Sequence, residues 1–199
     1  MCEALPWRLL KTRSAPAVLW AGLACCILVF ASAPALAQGR TDEYQIKAAF
    51  LYNFSKFAEW PDEAQSTSAP FVIGIVGEDP FGPALDNLVQ GKNWNGRRIA
   101  VKRLDAKGNF HGCHILYISN SERTEVPRIL AAVKGEHVLT VGEFDRFLRQ
   151  GGSIAFDIED DRIRITINLI AAEASGIKLS SKLLGLARVM TSSREAVGR

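Results

Sequence analysis

Three short apolar runs, Phe71 to Val76, Cys113 to Ser119 and His137 to Gly142, constrain this chain more than any other feature. They carry β-branched residues and lack the strict alternation of a strand with one wet face. That is the pattern of strands covered on both sides in a parallel sheet. Helical patterns stand between them. Phe81 to Val89 follows the first run, and a stretch from about Asn120 to Gly135 follows the second. In that stretch Ser119 and Glu122 have capping-box spacing, and Val126, Ile129, Leu130 and Val133 form the inward side. A shorter helix through Phe144, Phe147 and Leu148 ends at Gly151 and Gly152. The alternation predicts an α/β fold, an open mixed and mostly parallel sheet with helices on both faces.

The C-terminal third adds an antiparallel hairpin. Ile154, Phe156 and Ile158 alternate, as do Ile163, Ile165 and Ile167, with Asp160 and Asp161 between them. Arg162, Arg164 and Thr166 point the other way, as a solvated face or a recognition face. Asn168 caps the short helix LIAAEAS, Gly176 ends it, and Ile177 to Leu179 is a strand fragment. Ser181 opens a final amphipathic helix through Leu183, Leu184, Ala187 and Met190. Upstream, Asn95 and Gly96 mark a hairpin turn, and the basic residues around Ile99 and Val101 suit an edge strand.

The N-terminus reads as an export signal. Arg8, Lys11 and Arg13 precede an apolar stretch from Ala15 to Ala31 and the site Ala35, Leu36, Ala37. Residues 1–37 are therefore expected to be a signal peptide cleaved after Ala37, with an uncleaved anchor as the alternative. Residues 38–199 remain as one domain, with no membrane insertion after cleavage. Cleavage removes three of 24 basic and one of 21 acidic residues, leaving 21 against 20. A formal charge of +1 carries no nucleic-acid footprint. Cys2, Cys25 and Cys26 leave with the leader, so Cys113 is a lone free thiol, either buried or paired between chains.

Ahead of the first apolar run, Lys47 to Pro61 reads as a helix. Ile46, Ala49, Phe50, Asn53, Phe54, Phe57 and Trp60 share one face, widened by Leu51 and Ala58, while Ser55, Lys56 and Glu59 keep a wet strip. The sheet supplies a core for Phe50, Phe54 and Phe57. Trp60, Leu51 and Ala58 lie at the margins, where a second chain is expected.

Chemistry is sparse along the sequence. Asp79 and Glu78 in GEDPFG would repel a phosphate, and Asp79 reads instead as a helix cap before Pro80. Strand alternation puts Cys113 and His114 on opposite faces, and His111 with Cys113 lacks further ligands. Ser181 and Lys182 are adjacent and do not converge. No nucleophile elbow, zinc motif or dinucleotide fingerprint occurs, so no enzyme, metal or cofactor is expected.

The segments KAAFLYNFSKFAEWP, GEDPFG, GRRI, CHILYIS, VLTVG, GGSIAF, INLIAA and SSKLLGLA, in order from about Tyr44 to Val189, resemble the YfiR-like family of exported bacterial proteins. The resemblance implies a periplasmic α/β protein that dimerises and acts as a negative regulator. Its target would be the periplasmic sensor region of an inner-membrane diguanylate cyclase, with lower cyclic di-GMP and less biofilm as the result. An outer-membrane lipoprotein would relieve that repression. A small-ligand-sensing accessory of another receptor, such as a histidine kinase, is the alternative. The resemblance also implies a partner or ligand surface between Thr166 and Ser180, with Lys178 and Ser180 outward and Trp60 and Leu51 as further candidates. Family members with disulfides have the partner of Cys113 where this chain has Gly74, and a second pair near Leu148 and Ala155. Control through intramolecular bridges is not expected here.

Overall fold

The structure is a computed structural model that describes residues 35–62, 69–144 and 146–191, with side chains described from residue 42 onward. Two units divide the chain, Met1–Arg40 and Thr41–Arg199. The expected leader lies outside the described residues except for Ala35 to Ala37, which fall in the first turn of helix α1, Ala35–Phe57.

The three apolar runs become β2 (Phe71–Val76), β5 (Ile115–Ile118) and β6 (Leu139–Gly142), and every residue in them is buried. Around them stand β4 (Arg97–Leu104), β7 (Ile154–Glu159), β8 (Arg162–Asn168), β10 (Arg188–Met190) and the two-residue β3 (Asn93–Trp94). The sheet order is β10-β8-β7-β6-β5-β2-β4-β3. From β4 through β7 neighbouring strands are parallel, while β7 with β8 and β3 with β4 are antiparallel. Asn95 and Gly96, like Asp160 and Asp161, all have positive φ, which the tight turns of right-twisted hairpins require.

Alternation along these strands feeds two cores, as strand geometry dictates. Ile73, Ile75, Ile115 and Tyr117 pack with Phe54 of α1, Leu85 of α2 (Pro83–Val89), Ala172 of α4 (Leu169–Ala174) and Leu183 of α5 (Ser181–Leu184). Val72, Val76, Leu116 and Ile118 pack with Val126 and Ile129 of α3 (Val126–Ala132) on the opposite side. The mixed α/β sheet with helices on both faces is thus present.

Element ends differ from the sequence reading in five places. Helix α1 stops at Phe57, and Ala58–Glu59 forms β1, antiparallel to β9 (Lys178–Leu179). A Ser180 N–H to Phe57 carbonyl bond of 2.9 Å continues that pairing, so the chain turns extended before Pro61. Asp79 accepts from Phe81 and Gly82 N–H groups, and the helix starts later, at Pro83. Ser119 caps only a 3-10 turn, Asn120–Glu122, before α3, and the helix expected through Phe144 is a 3-10 turn at Leu148–Gln150. The last helix ends at Leu184 because Arg188–Met190 pairs in parallel with Thr166–Asn168 at the sheet edge. The Asn168 cap is as expected, its side chain accepting from Ala171 N–H.

Candidate functional site

Of the residues expected to meet a partner, Leu51 is fully buried, Trp60 is 2% exposed and Thr166 is 7% exposed. Each is occupied by its own chain. Leu51 and Trp60 belong to the first core, and Trp60 donates its indole N–H to the His137 carbonyl at 2.9 Å. Its ring meets Phe71 and Trp94 edge-on. Thr166 sits between β7 and β10 and donates its hydroxyl to Asp157. The reason lies in the phase of α1. Lys47, Ala48, Leu51, Phe54 and Ser55 form its buried side, whereas Ile46 is 51% exposed and Phe50, Asn53 and Phe57 are half-buried. A helix apolar over more than half its circumference gives no unique phase, and burial of Lys47 decides it.

Lys178 and Ser180 stay on the rim made by β1 and β9. Lys178 is exposed opposite Glu59, and Ser180 is half-buried and caps α5 through the Leu183 N–H. Lys182 lies over the Phe57 ring beside them. Among the described residues the exposed large apolar side chains are Ile46, Ile158, Ile170 and Leu186.

Cys113 is a buried free thiol just before β5. Burial pushes its pKa up, so the thiolate that reacts or binds metal is disfavoured. Among the described residues no group of three His, Cys, Asp or Glu side chains is placed to hold a metal ion. His111 instead contacts Glu136, and His114 is buried against Phe71.

A largely buried polar cluster lies at the carboxyl ends of β5 and β6. Lys47 is 3% exposed and ion-paired to both Glu43 and Glu143, while Tyr44 donates its hydroxyl to Glu143 at 2.8 Å. Tyr117 is fully buried and its hydroxyl has no hydrogen-bond partner among the described residues. Burial pushes the pKa of that hydroxyl up, and the Glu143 carboxylate adds to the effect. The cluster clasps α1 to the end of β6. Glu43 and Lys47 have the i, i+4 spacing that a sequence can show, but nothing in the sequence points to Glu143.

On the far side of Glu143 a cleft of about 660 Å³ opens, lined by Asn120, Arg123, Glu143, Phe144, Arg146 and Gln150. Both arginines are exposed, and neither guanidinium forms an ion pair among the described residues. A second opening of about 640 Å³ lies between α3 and α4 and includes Thr140, Leu148 and Asn168. There the polar groups serve the fold, since Thr140 binds Ser153 and Asn168 binds Leu148 and Ala171.

Fold and cleft together define a mixed α/β domain with a polar opening at the carboxyl ends of its parallel strands. The chain belongs to the YfiR/HmsC-like family, whose model matches residues 44–188. That family is one of non-catalytic periplasmic regulators. Among solved structures, a conserved domain protein from Vibrio cholerae is similar at 12% identity with a TM-score of 0.45. The similarity covers 59% of this chain and 54% of that one, about half its length. Among the described residues no helix is long and apolar enough to cross a membrane.

Proposed function

We propose that this chain is an exported regulator that binds the periplasmic sensor region of an inner-membrane diguanylate cyclase and represses it. Membership of the YfiR/HmsC-like family across residues 44–188 is the observation that carries this reading. Cleavage after Ala37 releases the mature chain, which acts as a homodimer and is sequestered by an outer-membrane lipoprotein when repression is relieved. To repress, it must bind the inactive form of the cyclase more tightly than the active form. The rim around Lys178 and Ser180 is the contact surface, because both lie outside the core while the other three candidates do not.

Deleting the gene raises cyclic di-GMP and biofilm in cells that express the cyclase, and a plasmid copy restores both. An unchanged cyclic di-GMP level in that strain overturns the reading. Lys178→Glu abolishes co-purification with the cyclase periplasmic region while the variant keeps its thermal midpoint. Undiminished co-purification removes the rim from the contact surface. Co-purification of the wild-type chain with a histidine kinase in place of a cyclase favours the ligand-sensing alternative.

A further inference from the structure

The cleft beyond Glu143 has a composition that the fold does not account for. Its volume of about 660 Å³ lies in the range of small-molecule sites. It opens at the carboxyl ends of β5 and β6, the end at which open α/β sheets place their ligands. Arg123 follows the 3-10 turn after β5, and Arg146 stands in the turn after β6, so two successive strand ends deliver one guanidinium each. Elsewhere in the unit Arg103 pairs with Asp79 and Asp86, Arg128 with Glu125 and Arg188 with Glu159, while the exposed Arg98 and Arg162 form no ion pair among the described residues. Arg123 and Arg146 have no such acid among the described residues.

Glu143, the one acid among the described lining residues, is engaged by helix α1. One of its carboxylate oxygens accepts from Tyr44 and the other from Lys47, a cation that Glu43 shares, so the helix side matches only part of its charge. Asn120 and Gln150 add neutral hydrogen-bonding groups, and Phe144 is the one large apolar side chain among the described lining residues, its ring edge-on to Phe147 at 5.2 Å. Arg146 is held at a φ of 71°, a left-handed conformation that costs a long side chain energy and that glycine adopts freely.

We propose that this cleft binds a small organic anion, a carboxylate or phosphate ester with a flat apolar body. Arg123 and Arg146 hold the anionic group through charge-assisted, fork-shaped hydrogen bonds, and Phe144 packs against the body. The site is distinct from the Lys178 and Ser180 rim and is independent of which receptor the chain regulates. Through Glu143, an occupant of the cleft adjoins the Lys47 clasp and hence helix α1.

Calorimetric titration of the full mature chain with phenyl phosphate, benzoate and inorganic phosphate tests the assignment. At least one aromatic anion binds saturably at one per chain, and the one that binds identifies the anionic group. Arg123→Ala and Arg146→Gly each weaken that binding by roughly tenfold or more, the scale of a hydrogen bond to a charged partner. Arg146→Gly also keeps or raises the thermal midpoint in buffer alone, so its loss of binding is not a loss of fold. Lys134→Ala, at the other opening, leaves binding unchanged. Absence of saturable binding by both aromatic anions overturns the proposal, as does binding that persists in the Arg123→Ala, Arg146→Gly double variant. Inorganic phosphate binding as tightly as phenyl phosphate overturns the role given to Phe144.

Discussion

Gly74→Cys offers a sharp test of the strand register, because it asks one added atom to find one existing atom. A Cβ built at Gly74 lies 3.1 Å from the Cys113 sulfur. In a disulfide each sulfur sits about 3 Å from the partner Cβ, so little movement of the backbone is needed. The obstacle is local. The same Cβ comes within 2.8 Å of Leu116 Cδ1 and 3.2 Å of Leu104 Cδ1, both ends of side chains that can rotate. Overpacking of this kind costs about 1 to 3 kcal/mol. Closing the loop from position 74 to position 113 removes denatured-state entropy worth about 4 kcal/mol in the chain-entropy account. The reduced variant is therefore expected to be less stable than the parent by about 1 to 3 kcal/mol, and the oxidised variant more stable by a similar amount. Urea denaturation with and without reductant reads both numbers, and a thiol count after oxidation reads the bond. Because burial raises the Cys113 pKa, the native thiol is slow to react near neutral pH and faster as pH rises. Oxidation during refolding avoids that barrier. Two free thiols per folded chain after oxidative refolding would refute the parallel pairing of β2 with β5 at this register.

Phe54→Ala and Trp60→Ala should both lose about 3 to 5 kcal/mol in denaturant titrations, since both rings are buried in one core; a Trp60→Ala variant of parental stability would place that ring at an interface after all. Lys47→Met leaves Glu143 buried beside Tyr117 without its cation, and a loss of about 3 to 5 kcal/mol is expected, with part recovered when Glu143→Gln is added. Arg103 holds the Asp86 carboxyl below its ordinary value, chiefly through a hydrogen bond, with burial opposing and charge attraction adding to the lowering. The folded state then binds that proton less readily than the unfolded state, so the stabilisation is complete above about pH 4 and is lost as pH falls through the folded value. The pair is half-exposed and worth no more than about 1 kcal/mol, and Arg103→Ala should flatten the acid limb of stability against pH by that amount.

Strand identity was legible because burial on both faces leaves a continuous apolar signature, and FVIGIV, ILYI and LTVG carry it without competition from any other pattern. The turns were legible for a similar reason: Asn95-Gly96 and Asp160-Asp161 are residues that tolerate positive φ. Termini of elements were less so. Arg188–Met190 has helical spacing with Leu184, yet a vacant parallel edge beside β8 captures it. Likewise Ala58 and Glu59 continue the α1 pattern, yet the β9 backbone offers them a ladder. Both choices depend on partners 20 or more residues away, which periodicity within one segment cannot report.

The site was the least legible part, and α1 shows why. Its sequence presents aromatic residues nearly all round, so a wheel drawn from hydrophobicity alone chooses the Ile46, Phe50, Phe57 direction. In the fold the direction is chosen by a charge. Lys47 turns inward because Glu143 waits at the end of β6, and once Lys47 is buried, Leu51, Phe54 and Ser55 follow on the same side while Ile46 is left in solvent. One buried ion pair therefore assigns which aromatics are core and which border the surface. It also ties Glu143 to α1 at the mouth of the cleft that Arg123 and Arg146 line. The phase of the helix and the tether on Glu143 are two consequences of the same contact. Substitution of Lys47 should thus alter anion binding as well as stability, even though Lys47 does not line the cleft.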